Sequence, residues 1–253
     1  MPLPLLGFLA SLAAGAATGF GALPVIFFRN ISQRVQDSLL GFGAGVMLAA
    51  TSFSLIIPAV EVSGKGLFSV MSISTGIALG ALFLFLSDKY SPHEHFIKGP
   101  EGADPGRLRR IWLFVIAIAL HNFPEGLAVG VGFGGGNIAN GTKLAVGIGL
   151  QNIPEGLVVA VSLIAEGYSI AFAILISFLT GLVEPVGGLI GVTIVSISKP
   201  LLPWGLAFAA GAMLYVISDE IIPESHQKGF EKEATFGVIV GFIIMMILDI
   251  TLS

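Results

Sequence analysis

LHNFPEGLAVGVG (Leu120–Gly132) and LQNIPEGLVVAVS (Leu150–Ser162) are two copies of one phrase, L-[H/Q]-N-x-P-E-G-L, 30 residues apart. Both copies lie in long apolar runs. They therefore bring a histidine, a glutamine, two asparagines and two glutamates into segments that are otherwise hydrocarbon. Polar and ionisable side chains at membrane depth are costly and are usually functional. The pair predicts two helices that share a binding site.

The composition predicts an all-α membrane protein. Of the 253 residues, 55% are hydrophobic and 11% are charged, and the mean hydropathy is +0.94. A soluble domain carries about 25% charged residues. The absence of cysteine excludes thiolate metal sites and disulfides, and a net charge of −4 provides no basic surface for nucleic acid.

Eight apolar runs are long enough to cross a membrane, because a spanning helix needs about 20 residues. A membrane β-barrel is excluded since the runs lack period-2 alternation. The first run has no basic segment before it and is expected to be a retained span in a single membrane domain. The predicted spans 1–8 cover residues 3–28, 35–58, 66–87, 109–133, 142–165, 168–196, 201–223 and 234–252.

The basic residues predict the orientation. Loops after the odd-numbered spans carry nine Lys or Arg residues and the opposite loops carry three, counting Lys143 among them. Cytoplasmic loops are the more basic ones. We therefore expect a protein of the cell (inner or plasma) membrane with both termini outside the cytoplasm. The cytoplasmic loop 88–108 contains His93 and His95, which are candidates for a weak metal-acceptor site. The alternative is a solvated loop with chance histidines.

A second repeat relates spans 2 and 7. GFGAGVMLAATSFSLIIP (Gly41–Pro58) resembles AFAAGAMLYVISDEIIP (Ala207–Pro223), which is one residue shorter. Spans 2 and 7 cross in opposite directions, as do spans 4 and 5, so both repeats are inverted. We expect spans 1–3 and 6–8 to be related by a pseudo-two-fold axis with spans 4 and 5 between them. This 3+2+3 pattern is typical of secondary transporters.

The central motifs place their polar residues at helical spacing. His121, Asn122 and Glu125 share one helix face, and Gln151, Asn152 and Glu155 repeat the pattern. Pro124 and Pro154 cannot donate to the carbonyls one turn earlier, so both helices are expected to kink.

Glu184 adds a third buried carboxylate in span 6, again followed by proline. Three close carboxylates repel one another unless cations or protons compensate. Imidazole, carboxylate and amide groups together suit a divalent ion such as zinc, manganese or ferrous iron. The alternative is that these groups only fix helix packing, which is the stronger alternative for Asn122 and Asn152.

HNFPEG, QNIPEG and VEP in spans 4, 5 and 6 resemble the ZIP (Zrt-, Irt-like protein) divalent metal transporter family, in its bacterial GufA-like branch. The resemblance covers the whole chain. It implies uptake of zinc, or of cadmium, iron, manganese or cobalt, into the cytoplasm through a two-metal site at the membrane midplane by alternating access. It implies that the first metal is held by His121, Glu125, Gln151 and Glu155. It implies that the second is held by Asn122, Asn152, Glu184 and the bridging Glu125 and Glu155.

Two further features concern the resemblance. Met47 matches a position that can add a thioether to the first metal, although an ordinary apolar methionine is the alternative. Gln151 and Asn152 stand where many relatives carry histidine or aspartate, so the second metal is expected to bind more weakly.

Other polar residues are candidates for the ion path, with helix-end residues solvated by headgroups as the alternative. Ser54, Glu61 and Asp249 are candidates for the outer entrance. The candidates for the cytoplasmic exit are Asp88, Asp219, Glu220, Glu224 and His226.

The rival function is an intramembrane metal-dependent hydrolase. Such an enzyme needs a stably held metal with an open water position, but only His121 of four histidines lies in a span and HExxH is absent. A sensor is disfavoured because the only sizeable soluble segment is the loop 88–108, which offers nothing obvious to carry an output signal. We therefore expect no enzyme activity and no cofactor, with metal ions and the bilayer as partners. The glycines of spans 1 and 3 are candidates for contact with a second copy in a homodimer.

Overall fold

The computed structural model describes residues 1–28, 31–90, 93–95, 99–101 and 110–252. The side chains of Asp88, residues 93–95 and 99–101, Arg110 and Leu113 lie outside this description, so the proposed roles of Asp88, His93 and His95 do too.

The described chain is helical apart from one short strand pair, β1 (His93–His95) and β2 (Gly99–Glu101), which pair antiparallel with His93 opposite Glu101. The helices are α1 (Leu3–Ala22), α2 (Gln33–Ala49), α3 (Ile57–Ser63), α4 (Leu67–Tyr90), α5 (Arg110–Gly134), α6 (Ile138–Ala165), α7 (Ile170–Gly181), α8 (Glu184–Ile197), α9 (Leu202–Val216), α10 (Ile222–Ser225) and α11 (Glu231–Thr251).

Eight helical segments of the described chain are long and apolar enough to cross a membrane, which confirms the predicted all-α class and span number. They cover Leu3–Ile26, Gln33–Ser63, Leu67–Ser87, Phe114–Gly134, Ile138–Ala165, Ile170–Ile197, Lys199–Ser225 and Glu231–Thr251.

Span 6 was predicted as one helix over 168–196, but it is broken between α7 and α8 at Leu182 and Val183. The break has a local cause, because Pro185 lies in the first turn of α8, where its missing N–H and fixed φ are tolerated. The break makes Glu184 the first residue of α8. Span 6 therefore offers a helix N-terminus in its interior.

Spans 2 and 7 each contain a widened π-helical segment before a proline. The segments cover Ala50–Ile56 and Ile217–Ile221, and Pro58 and Pro223 follow them. A proline within a helix removes one backbone donor and crowds the preceding turn, so the local hydrogen-bond register shifts. Both copies of the second sequence repeat thus share the same irregularity.

Spans 1, 4, 5 and 6 pack closely because glycines let their backbones touch. A Cβ at Gly126 of α5 would clash with the backbone carbonyl of Glu184 in α8, and one at Gly156 of α6 would clash with the carbonyl of Thr18 in α1. The hydroxyl of Ser177 in α7 donates to the carbonyl of Gly156 at 3.0 Å. These contacts join α1, α5, α6, α7 and α8 into one group.

The remaining spans form two glycine-packed pairs. In the pair of α2 with α11, Gly45 meets the carbonyl of Val238, and in the pair of α4 with α9, Gly80 meets the carbonyl of Phe208. Glycines in span 1 likewise contact the chain itself, as Gly15 does at Gly181. The glycines of spans 1 and 3 that suggested contact with a second copy therefore serve packing within the chain.

Gly156→Ala should lower stability, because the added methyl group overlaps the carbonyl of Thr18. The expected loss is about 1–3 kcal/mol, the usual cost of overpacking. Gly149→Ala on the same helix is the control, since its nearest neighbours are Ala14 Cα at 3.8 Å and Ala17 Cβ at 3.9 Å. To compare the two variants, each is heated in detergent, and the fraction that still elutes as a monodisperse peak is measured at each temperature. Equal stability of the two variants contradicts the close helix contact.

Candidate metal centre

The two central motifs lie on α5 and α6, which remain helical through Pro124 and Pro154. Their prolines leave the carbonyls of Leu120 and Leu150 without the usual helical donor. The polar side chains of both motifs and of the α8 start are buried. The exposed fractions are 4% for His121, 0% for Asn122, 1% for Glu125, 2% for Gln151, 0% for Asn152, 7% for Glu155 and 0% for Glu184.

Asn152 is the hydrogen-bonding hub of this region. Its Nδ2 donates to the carbonyl of Ala14 at 2.9 Å and to Glu184 Oε1 at 2.5 Å. Its Oδ1 accepts a hydrogen bond from Gln151 Nε2. Asn152 therefore fixes α6 against both α1 and the start of α8.

Glu184 is held by the helix break. Glu184 lies at the positive end of the α8 helix dipole, which favours a carboxylate. Gly126 brings the backbone of α5 against Glu184, so its side chain enters the same region as the α5 motif. The break in span 6 and the glycine in the motif thus act together.

The carboxylates of Glu155 and Glu184 are both close enough to Glu125 to interact electrostatically. The amide of Gln151 interacts with Glu125 and with Glu155, and His121 interacts with Glu155. A cation among these groups would relieve the repulsion between the three carboxylates.

Several buried polar atoms of this centre have no hydrogen bond of ordinary geometry to any part of the chain that the structure describes. They are Asn122 Oδ1 and Nδ2, Glu125 Oε1 and Oε2, Glu155 Oε1 and Glu184 Oε2. Native proteins rarely leave buried polar groups in this condition. A cluster of such oxygens suits a cation.

His121 contacts a residue of another span. Its Nε2 lies 2.5 Å from Oε2 of Glu220, in the π-helical segment of span 7. Both residues line a small cavity of about 30 Å³, together with Gln151, Glu155 and Glu224. Gly43 of α2 also lines it and leaves room for the side chain of Gln151. Glu220, predicted for the exit, thus lies at the centre itself.

The other predicted residues are placed differently. Among the described residues, His, Asp and Glu side chains form no group of three that is arranged to hold a metal. Met47 is buried in an apolar cluster, and Glu61 is exposed on α3. Asp219 is half-buried. His226 contacts Ser225, the carbonyl of Ile222 and Thr235, which ties α10 to α11.

Ser54 and Asp249, two of the three candidates for the outer entrance, are in contact. Ser54 Oγ donates to Asp249 Oδ1 at 2.6 Å, and Lys143 Nζ lies 3.4 Å from the same oxygen. Lys143 had been counted as a loop residue, but it lies within α6 and is 9% exposed. The sequence signal was a lysine inside the predicted fifth span, which began at residue 142. Lys143 therefore no longer counts among the three basic residues assigned to the loops after the even-numbered spans.

Asp37 is a second buried ionisable residue, and it is not among the residues predicted from the sequence. It is 0% exposed in α2, and Gln33 Nε2 donates to its Oδ1 at 2.6 Å. An aspartate near the start of a predicted apolar span was the available signal, because such a charge needs a partner.

The comparison with known proteins decides the family. Residues 101–249, more than half of the chain, match the family model described as ZIP Zinc transporter. The chain belongs to the ZIP family. It is a multi-pass membrane protein of a transporter family, which confirms the resemblance and removes the hydrolase alternative.

Full-length ZIP relatives support the assignment. The chain is 51% identical to the zinc transporter GufA of Myxococcus xanthus over 98% of this chain and 99% of that protein. It is 44% identical to the zinc transporter ZIPB of Bordetella bronchiseptica over 95% and 80% of the two chains. It is 36% identical to the human zinc transporter ZIP11 over 93% and 94%.

Asn152→Ala in this ZIP chain should cost more stability than Asn122→Ala, by about 1 kcal/mol or more, because only Asn152 donates to Ala14 and to Glu184. Thermal unfolding in detergent with a metal chelator present measures the difference. Both changes remove the same number of atoms from fully buried positions, so the loss of packing is matched. Equal losses would show that the Asn152 contacts do not stabilise the fold.

Proposed function

We propose that this chain takes up divalent transition-metal ions, zinc foremost, into the cytoplasm through a centre with two metal positions between α5, α6 and α8. The cluster of buried oxygens on Asn122, Glu125, Glu155 and Glu184 that lack hydrogen bonds within the described chain carries the proposal. Family membership and the relatives named as zinc transporters support the choice of substrate.

Two overlapping ligand sets follow from the side chains. The first position uses His121, Glu125, Gln151 and Glu155, whose mutual interactions cross from α5 to α6. The second uses Asn122, Asn152, Glu184 and the shared oxygens of Glu125 and Glu155. Its amides are neutral, so it holds a metal more weakly than the first position, which carries a histidine.

Binding requires small rearrangements of side chains. His121 must turn from Glu220 toward the metal, and Asn152 must share its amide oxygen between Gln151 and the ion. These moves keep the metal exchangeable, since each ligand has an alternative partner in the protein. A transporter needs such exchange because the ion must also leave.

The cavity beside the centre supports a release path. Glu220 and Glu224 line it, and both lie near the end of span 7, from which a loop with Lys228 leads to α11 and its first-turn residue Lys232. By the positive-inside rule this end is cytoplasmic. Both termini of the chain then lie on the side of the cell membrane that faces away from the cytoplasm. Ser54 and Asp249 mark the opposite, outer entrance.

The glycine contacts support alternating access in which α1, α5, α6, α7 and α8 move as one body. Backbone contacts within this group resist separation, whereas α2 with α11 and α4 with α9 form separate pairs around it. The matched π-helical segments of spans 2 and 7 support the 3+2+3 inverted repeat.

Cadmium, iron, manganese and cobalt are expected to compete with zinc, because the nitrogen and oxygen donors accept each of them. A homodimer stays a prediction.

Glu125→Gln and Glu155→Gln should each reduce initial zinc uptake into proteoliposomes by about a hundredfold or more, because each removes a bridging carboxylate from buried metal positions. Fluorescence of a zinc indicator inside the vesicles provides the measurement. Glu166→Gln is the matched control, since Glu166 is exposed at the end of α6. The control should transport as the unaltered protein does. Normal uptake by both test variants would refute the centre.

A further inference from the structure

Lys143 is a buried cation that the proposed centre does not use. It lies in α6 with a side-chain exposure of 11%, and its partner Asp249 in α11 is 14% exposed. The Nζ of Lys143 and the hydroxyl of Ser54 both approach one oxygen of Asp249, at 3.4 Å and 2.6 Å. A buried lysine is rare and normally has a specific role.

The backbone fixes this arrangement. Pro58 has no N–H, so the carbonyl of Ser54 lacks the donor that residue i+4 normally supplies. The side chain of Asn140 takes this place and donates to the carbonyl of Ser54 at 3.2 Å. Asn140 and Lys143 are three residues apart on α6 and share one face of it. The π-helical segment of span 2, α6 and α11 therefore meet at Asp249.

We propose that Lys143 is a displaceable counter-ion that occupies the cation position at Asp249 and makes this entrance selective for divalent over monovalent ions. This inference rests on the proposed function, because it assumes that metal ions pass Asp249. An arriving ion must replace the lysine ammonium at the carboxylate. It must therefore offer more than the single charge that Lys143 already supplies.

The charges explain the selectivity. A monovalent ion at Asp249 gains the attraction that Lys143 gives up and is repelled by the same ammonium. A divalent ion gains twice that attraction and feels twice that repulsion, so it is favoured once the displaced ammonium lies more than about twice as far from it as the carboxylate does. It also keeps the hydroxyl of Ser54 as a possible oxygen ligand. Electrostatic complementarity of this kind acts mainly on specificity and on rate of entry. The lysine remains tethered to α6 and returns to Asp249 when the metal moves on.

The test measures zinc uptake into proteoliposomes as a function of zinc concentration, in choline chloride and in sodium chloride of equal ionic strength. Lys143→Gln should lower the KM for zinc roughly three- to tenfold in choline, because no ammonium competes for Asp249. Sodium should then raise the KM of this variant, while the unaltered protein responds equally to both salts. Lys143→Arg should behave as the unaltered protein does.

Lys65→Gln is the matched control, since Lys65 is an exposed lysine in the turn between α3 and α4. It should leave the KM and the salt response unchanged. In an Asp249→Asn background, Lys143→Gln should have no further effect on the KM. If Lys143 had a purely structural role, the losses of zinc uptake caused by Lys143→Gln and Asp249→Asn would add, and the response to sodium would not change.

Lys143→Met keeps the apolar stem and serves if the glutamine variant does not fold. The unaltered protein also tests the proposal without any substitution. If its KM for zinc is higher in sodium chloride than in choline chloride, the proposal is overturned. An unchanged KM in both charge-removing variants also overturns it. Failure of the unaltered protein to transport zinc contradicts the proposed function instead, so the two failures are distinguishable.

Discussion

The structure depends on one constraint, which is that polar donors buried at membrane depth must be satisfied without water. Asn152 meets this constraint by binding Ala14, Glu184 and Gln151 at once. Glu125 and Asn122 do not meet it, because their buried side-chain atoms lack hydrogen bonds of ordinary geometry to the described chain. The first kind of group holds the helices together, and we propose that the second kind binds an ion. Stability and transport therefore draw on the same few positions.

Prolines and glycines make this arrangement possible. Pro185 allows span 6 to restart at Glu184, and Pro58 releases the carbonyl that binds Asn140. Gly126 and Gly156 bring helix backbones into contact beside the motifs. Each motif thus combines a proposed metal ligand, a proline that alters backbone hydrogen bonding and a glycine that sets the helix distance. The phrase N-x-P-E-G carries these elements together.

Much of the fold was predictable because membrane spans are a matter of length and apolarity. The number of spans and the burial of the two motifs followed from the sequence alone. The break in span 6 was missed since the run is apolar on both sides of Glu184 and is long enough for one helix, and Glu184 with Pro185 was the local signal. The contact between His121 and Glu220 was missed because it joins distant spans, and no periodicity reports which helix faces which. Lys143 was counted with the loop residues because it lies at the edge of the predicted span, and its contact with Asp249 depends on how α6 meets α11. Local chemistry was therefore predictable, whereas pairing between helices required the three-dimensional structure.

Anomalous diffraction from zinc-soaked crystals of this chain tests the central claim most directly. The account predicts zinc peaks between α5, α6 and α8, with the stronger one beside His121, Glu125, Gln151 and Glu155 and a weaker one beside Asn122, Asn152 and Glu184. The peaks should disappear in crystals of the Glu125→Gln variant that diffract equally well. Zinc bound elsewhere in the chain, with no anomalous density among these residues, would contradict the account.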